Sequence, residues 1–417
     1  MKFCVLTLGC KSNQSESSLI ENILIENSHC KTSLEESPDV CIINTCSVTA
    51  KSDYQSRQLI RRALKAGASV IVTGCYSELN QPLIRQISKT IEIVKNADKD
   101  AYFKDKFGHS PNPGTTAPGD HGNSRALLKI QDGCNAYCTY CQIPQTRGAS
   151  RSRPVSEVIR EAQAFEEAGF MEIVITGIHI GYYGVDLNPK TELSALIENI
   201  LINTNNLRIR LTSIEVSEIT DRLIRLYENG RICSHIHIPL QSGDDVILKK
   251  MNRPYNTSDF RRTILRLHSA IDNISIGTDV IVGFPGETHD SFNDTYGFIS
   301  SIPLVYLHVF PYSKRKNTKA AEMPGAVDEG IKKQWAAHLR ELSGEKKQAY
   351  MSAQAGKVLC AAVETIENGS FSGTTGNYLK IVSELVPGFE IRKKHLVNLI
   401  VTGQEDDRLA GKPVIIR

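Results

Sequence analysis

From residue 3 to residue 310 the chain alternates short β-rich runs with helical patterns, and that alternation constrains its fold more than any single motif. Strands each followed by a helix cannot pair as hairpins; they form parallel sheets with helical crossovers. In the first part the β-type runs are 3–7, 40–44, 69–73 and 91–94. After residue 124 they are 126–130, 173–176, 208–211, 235–238, 276–282 and 306–310. Helical patterns cover 155–168, 192–203, 218–228, 257–271 and 289–299. Six βα units are too few to close an eight-stranded barrel. They predict an open, partial (β/α)6 barrel with its site at the strand C-termini and a gap in its wall that admits a bulky substrate.

A chain of 417 residues is long enough for about three domains. The run HSPNPGTTAPGDHGN, 109–123, reads as a linker. Beyond residue 351, β-type runs at 358–364, 378–382, 396–402 and 413–416 are punctuated by glycines, which predicts a small antiparallel β-barrel. The expected α/β organisation is therefore a parallel domain over 1–108, the linker, a barrel domain over 124–350 and the small barrel over 351–417.

Eleven cysteines without an evident secretory leader point to metal or redox chemistry, not a disulfide framework. Cys134, Cys138 and Cys141 lie on one short loop, C-x3-C-x2-C, directly after the first strand of the central region. A structural zinc site wants four protein ligands. Three soft ligands better suit an iron–sulfur cluster with one iron left open, with zinc the alternative. Cys10, Cys46 and Cys75 each follow one of the first three strands, where parallel sheets build their sites. They are expected to converge on a second three-thiolate site; three buried packing thiols are the alternative. Cys4, Cys30, Cys41 and Cys233 read as packing residues.

Polar, glycine-containing turns follow the central strands in succession. They place Gly177, His179, Tyr183 and Gly184, then Ser213 and Glu215, then Gln241 and Ser242 at a ligand-lined mouth. VGFPGET and PYSKRKNTKA complete it. Arg147, Arg151 and Arg153 are candidates for phosphate or for plain surface, and Arg253 for a carboxylate partner or a turn. Lys51, Arg57, Arg61, Arg62 and Lys65 recur at helical spacing, a solvated face or an RNA-facing stripe. A net charge of +3 is compatible with nucleic acid without indicating it. No apolar run approaches the roughly 20 residues of a membrane span, so no membrane association and a cytoplasmic location are expected.

The cysteine loop resembles the signature of the radical S-adenosylmethionine (SAM) superfamily. More of the chain is similar to its methylthiotransferase family: LGCKSNQSES, NTCSVT and GCY in the first domain, GCNAYCTYCQIPQTRG in the loop, and HIPLQSGDDVILKKMNRPY, VGFPGET and HVFPYSKRKNTKAA later. The tail resembles a TRAM domain, a small RNA-binding barrel, with Lys380, Arg392, Lys393 and Lys394 as candidate RNA contacts. The resemblance implies two 4Fe–4S clusters, one on Cys134, Cys138 and Cys141 and one on Cys10, Cys46 and Cys75. The first would bind SAM and the second would hold the transferred sulfur. It implies SAM contacts from Tyr140, Gly177, His179, Ser213, Glu215 and Gln241. It also implies a tRNA substrate, a sulfur donor and a flavodoxin- or ferredoxin-like electron donor. GCKSN and NTCSVTAKSDYQSRQLIRRA look most like the branch acting at adenine C2 of N6-threonylcarbamoyladenosine beside the anticodon. A sister branch acts on isopentenyladenosine and a third on a ribosomal-protein aspartate. A non-catalytic iron–sulfur RNA-binding protein is the alternative of another class. Two positions depart from the family pattern: Val216, where proline is frequent, and Asn317, where glycine is common.

Overall fold

The computed structural model describes residues 1–108 and 124–415. The expected linker at 109–123 lies outside them. Five strands, β1 (Lys2–Thr7), β2 (Cys30–Lys31), β3 (Val40–Thr45), β4 (Ser69–Gly74) and β5 (Glu92–Ile93), form a parallel sheet in the order β2–β1–β3–β4–β5. Side chains alternate faces along a strand, and here both faces are apolar. Cys41, Ile43 and Val70 meet Ile60 and Ala63 of helix Ala50–Lys65. Ile42 and Ile71 meet Ile20, Ile23 and Leu24 of helix Lys11–Glu26 on the other side. Cys4 and Cys41 pack as expected, but Cys30 does not: it sits exposed on the two-residue edge strand β2.

The second unit carries β6 (Ala126–Lys129), an antiparallel pair β7 (Gln131–Asp132) and β8 (Arg151–Ser152), then β9 (Glu172–Thr176), β10 (Arg208–Leu211), β11 (His235–His237), β12 (Ser275–Val282) and β13 (Tyr306–Pro311). Two parallel three-stranded sheets, β10–β9–β6 and β11–β12–β13, are joined by single bridges between Ile209 and Ile232 and between Ser213 and His237. The six strands therefore follow one another in sequence order as an open barrel, with β6 and β13 outermost. The helix expected over 218–228 is broken: 3-10 turns flank a short helix, Asp221–Arg225, whose restart is capped by the Thr220 hydroxyl accepting from the Leu223 N–H. Helix Glu329–Ser352, absent from the expected set, gives Trp335 and Leu339 to this core and Met351 to the next.

Strands β14 (Val358–Glu367), β15 (Ser370–Thr375), β16 (Lys380–Glu384), β17 (Leu396–Glu405) and β18 (Arg408–Pro413) close a barrel in the order β14–β15–β16–β18–β17. It is not wholly antiparallel, because β16 and β18 pair in parallel. One buried anion docks it. The Glu172 carboxylate receives Arg208 Nε at 2.8 Å and Arg210 Nε at 2.7 Å. Arg208 Nη2 also donates to Glu172, and other guanidinium N–H groups donate to the carbonyls of Cys360 (2.7 Å), Thr375 (2.9 Å) and Gly376 (3.1 Å). Burial pushes Glu172 up, but the two arginines outweigh it and hold it at about 2.

The first domain spans the open side of the larger barrel. On the β6 side, Glu16 pairs with Lys99, with Lys129 (2.6 Å) and with the fully buried Arg147 (2.7 Å), which also reaches Asp132 (2.9 Å) and Asn13 (2.5 Å). On the β13 side, Arg315 donates to Asp53 (2.6 Å), Ser47 (2.9 Å) and Gln142 (2.9 Å). The expected gap is thus roofed by a domain. Arg147, a candidate phosphate contact from sequence, is instead the cation of an interdomain clamp.

Candidate active site

The first thiol triad is built by strand register. Thr7 of β1 pairs with Asn44 of β3, and Thr45 of β3 pairs with Gly74 of β4, so three strands end level and the cysteine turns follow side by side. Gly74 makes this possible: it has φ +98°, and a Cβ there would sit 2.3 Å from the Thr45 carbonyl oxygen. No side chain fits, so Cys46 and Cys75 leave their strands in close backbone contact. Gly9, at φ +108°, plays the same part before Cys10, where a Cβ would lie 3.0 Å from Cys46 Cβ. Asn13 ties the turns together by donating to the carbonyls of Leu8 (2.8 Å) and Thr45 (3.0 Å). Burial, and then the neighbouring Cys75 and Cys10 sulfurs, push the Cys46 thiol up.

The second triad hangs on a loop pinned at both ends. The Cys134 N–H donates to Gly148 O at 3.1 Å, and the Thr139 N–H to Met251 O at 3.1 Å. Each sulfur meets a donor: Ala136 N–H and His179 Nδ1 at Cys134 (3.4 and 3.3 Å), Arg253 Nη1 at Cys138 (3.2 Å) and Ile143 N–H at Cys141 (3.4 Å). At Cys141 burial outweighs the Ile143 N–H and pushes the thiol up to about 12. A tetrahedral zinc draws its thiolates to about 3.8 Å of one another. Among the described residues, the one group of three donors within 4.8 Å of each other is His237, Asp279 and His308, and neither triad is that tight. The chemistry and spread of both donor sets fit a multi-iron cluster better than a single ion.

Around the loop, Gln131 is the fastener that sequence reasoning missed. Its Oε1 accepts from the N–H groups of Ile178 (3.1 Å) and His179 (2.8 Å), while Nε2 donates to Gly133 O (2.7 Å). This holds the Gly177–His179 turn against the cysteine loop. His179 Nε2 meets Glu218 at 2.5 Å, another partner not singled out from sequence. Glu215 pairs with Arg253, so that arginine links Cys138 to a carboxylate. Burial raises Glu215 despite Arg253. Ser213 is exposed near the barrel bridge to β11.

A cavity of about 270 Å³ lies where the two domains meet. Cys75 of one triad and Cys141 of the other both line it, together with Tyr140, Gln241, Asp279 and Phe310. A larger cavity, about 820 Å³, lies around Lys99, Arg125 and Arg153 and holds neither triad, so volume alone does not locate the chemistry.

The comparisons with known proteins agree with this geometry. The Radical SAM superfamily profile matches residues 128–299, and that of uncharacterized protein family UPF0004 matches residues 2–95. A threonylcarbamoyladenosine tRNA methylthiotransferase of Bacillus subtilis is 38% identical over 406 residues, covering 90% of this chain and 89% of that one. The chain belongs to the radical SAM methylthiotransferase family. Its Aquifex aeolicus relative, of the same description, is 34% identical over 92% of this chain and 97% of its own. A tRNA-2-methylthio-N(6)-dimethylallyladenosine synthase of Clostridium tetani is 29% identical over 89% of this chain and 88% of its own. In fold, the methylthiotransferase resembles TsrM from Kitasatospora setae, a radical SAM methyltransferase (TM-score 0.55, 12% identity, 77% of each chain). Membership implies SAM and a 4Fe–4S cluster.

Both departures from the family pattern have a local explanation. Val216 opens a 3-10 turn at its first position, where proline's fixed φ is equally at home. Asn317 has φ +62°, the left-handed conformation that glycine takes freely and asparagine tolerates best among the rest. The candidate RNA cluster on the tail is largely engaged within the protein. Lys380 pairs with Glu364, Arg392 with Glu390, and Lys394 Nζ lies 4.3 Å from the Phe170 ring centroid. Lys51, Arg61 and Arg62 are exposed on the outer face of their helix, Arg62 beside Glu35. No helix among the described residues is long and apolar enough to cross a membrane.

Proposed function

We propose that this methylthiotransferase converts N6-threonylcarbamoyladenosine beside the tRNA anticodon to its 2-methylthio derivative. The observation that carries the reading is the shared cavity, lined by one cysteine of each triad. The relatives of 38% and 34% identity carry that substrate in their descriptions and support the choice of branch. Cys134, Cys138 and Cys141 would hold the cluster that meets SAM, and Cys10, Cys46 and Cys75 a second cluster carrying the sulfur. When bound, these groups and SAM supply a carbon-centred radical that acts on a C–H bond beyond acid–base chemistry, and the sulfur that replaces the hydrogen. The chain's own residues position and shield. His179 and Arg253 neutralise charge on the loop thiolates. Gly177 leaves room for Gln131, whose backbone O and Oε1 would lie 3.0 and 3.1 Å from a Cβ there, and Tyr140 and Gln241 form part of the cavity wall. The Arg315 and Arg147 clamps fix the distance between the triads and keep water from their junction. A flavodoxin- or ferredoxin-like reductant and a sulfur donor complete the requirement, and the exposed helix stripe at Lys51 and Arg61 suits the tRNA backbone.

The test is anaerobic reconstitution with SAM, dithionite and tRNA bearing either threonylcarbamoyl- or isopentenyladenosine, followed by nucleoside mass spectrometry. Methylthiolation of the threonylcarbamoyl tRNA is expected. Product on isopentenyladenosine alone would move the protein to the sister branch. Full methylthiolation by Cys10→Ala would remove the second cluster from the reading.

A further inference from the structure

A column of polar residues in contact with one another runs through the larger barrel and ends at the shared cavity. His235 and His237 on β11, Asp279 on β12, and Tyr306 and His308 on β13 lie on adjacent strands. Pairing sets Asp279 directly beside His308 and Gly277 beside both His237 and Tyr306. His235 is buried and kept neutral by burial and then by Arg210. Its Nδ1 has no partner. A bare lone pair is cheaper there than a stranded N–H, which puts the proton on Nε2. Nε2–H then donates to the Tyr306 oxygen at 2.8 Å, and the Tyr306 hydroxyl donates to His237 Nδ1 at 3.2 Å. That leaves the His237 proton on Nε2, facing Asp279 Oδ1 at 2.9 Å, while His308 Nδ1 lies 3.3 Å from the same oxygen.

Both imidazole contacts of Asp279 fall on the same oxygen. The other has no partner among the described residues, and the carboxylate lines the cavity. Ile281, Phe310, Tyr312 and Tyr140 give the same cavity apolar and aromatic walls. Flat apolar walls with one oriented polar group are what a heteroaromatic base requires. We propose that Asp279 is the acceptor that orients the target adenine, binding an N–H on its substituted exocyclic nitrogen and turning C2 towards the thiol triads. This rests on the substrate class proposed above. The three donors also have single-ion spacing, but the proton order puts an N–H, not a lone pair, on the His237 nitrogen nearest Asp279, which favours a polar binding site over a metal.

Asp279→Asn tests it. The amide has one acceptor oxygen, which the imidazole donors claim, so its NH2 faces the substrate N–H. Charge-assisted acceptance is lost, and kcat/KM for methylthiolation is expected to fall about 10- to 100-fold. RNA-free release of 5′-deoxyadenosine and iron content are expected to be unchanged, which separates the effect from misfolding. The second measurement uses tRNA whose target adenosine carries a methyl in place of the N6 hydrogen. Native enzyme should lose a similar factor on it, and Asp279→Asn should lose little more. Unimpaired Asp279→Asn, or two losses that multiply, would overturn the assignment alone. So would stoichiometric zinc or iron in cluster-free protein that disappears in His308→Ala. Native enzyme that modifies no N6-substituted adenosine would overturn the proposed function together with it.

Discussion

Gly74→Ala tests how backbone geometry holds a cluster ligand. Gly74 has φ +98° and ψ −172°, a region that only glycine enters freely, at a cost of about 1–3 kcal/mol for any other residue. The added Cβ would lie 2.3 Å from Thr45 O and 2.5 Å from Thr45 N, both backbone atoms in a paired strand that cannot step aside. Relieving such an overlap costs about another 1–3 kcal/mol. The cheapest relief is to part β3 from β4 at their ends, which separates Cys46 from Cys75. On the two-cluster reading proposed above, iron analysis after reconstitution should then fall from about eight atoms per chain to about four. SAM cleavage should persist while methylthiolation is lost, and the melting temperature should drop. Gly67→Ala is the control: its φ is +80°, but nothing lies within 4 Å of its Cβ, so it carries strain without the clash. Gly74→Ala with full iron loading and native melting would refute the reasoning.

Other perturbations follow from the buried charges. Glu172→Gln leaves Arg208 and Arg210 buried without their anion, so a loss of about 3–5 kcal/mol and earlier proteolytic release of the C-terminal barrel are expected. In the native protein Glu172 sits below its unfolded value. Its contribution is therefore present above about pH 4.5 and lost as pH falls towards 2, which acid titration of the melting temperature would show. Burial pushes Glu287 the other way, up to about 7. The folded state binds the extra proton between about pH 4.5 and 7, so stability falls by about 3 kcal/mol as pH rises through that window. Denaturation of Glu287→Gln at both ends of the window should lack that slope. Arg253→Lys loses the fork that joins Glu215 to Cys138. SAM cleavage should fall several-fold while the iron proposed for the N-terminal triad stays unchanged; equal iron loss from both triads would count against a local role.

Both thiol triads were legible in the sequence for a physical reason. Three thiols crowded as C-x3-C-x2-C on one loop exceed what packing needs, and Cys10, Cys46 and Cys75 each follow a strand of one parallel sheet, which gathers strand ends on one edge. The βα alternation located β3, β4 and β9 to β13 within a residue or two. The edge strand β2 was lost because two residues carry no period. Strand β15, SFSGTT, was lost because small polar residues carry no hydrophobic alternation. The helix Glu329–Ser352 has a broad polar face and only a thin apolar stripe. The clamps were invisible for another reason. Glu16, Arg147 and Arg315 look like ordinary surface charges until two domains meet.

Asp279 was hidden by its neighbours. In SIGTDVIV one acid among apolar residues reads as a strand whose polar face meets water. Only the pairing of three strands shows that His237, Asp279 and the exposed His308 share one face, with His235 and Tyr306 behind them. An apolar filling would have stabilised a barrel interior more cheaply, because buried polar groups cost free energy unless bonded. Along this column hydrogen bonds run from His235 through Tyr306 to His237, whose Nε2 lies 2.9 Å from Asp279, and His235 Nδ1 is left over at the far end. At the near end, Asp279 lines the cavity that Cys75 and Cys141 share. A network built only for packing would have closed on itself there. Ending on a free acceptor beside both triads, it is arranged for a donor that arrives with the substrate.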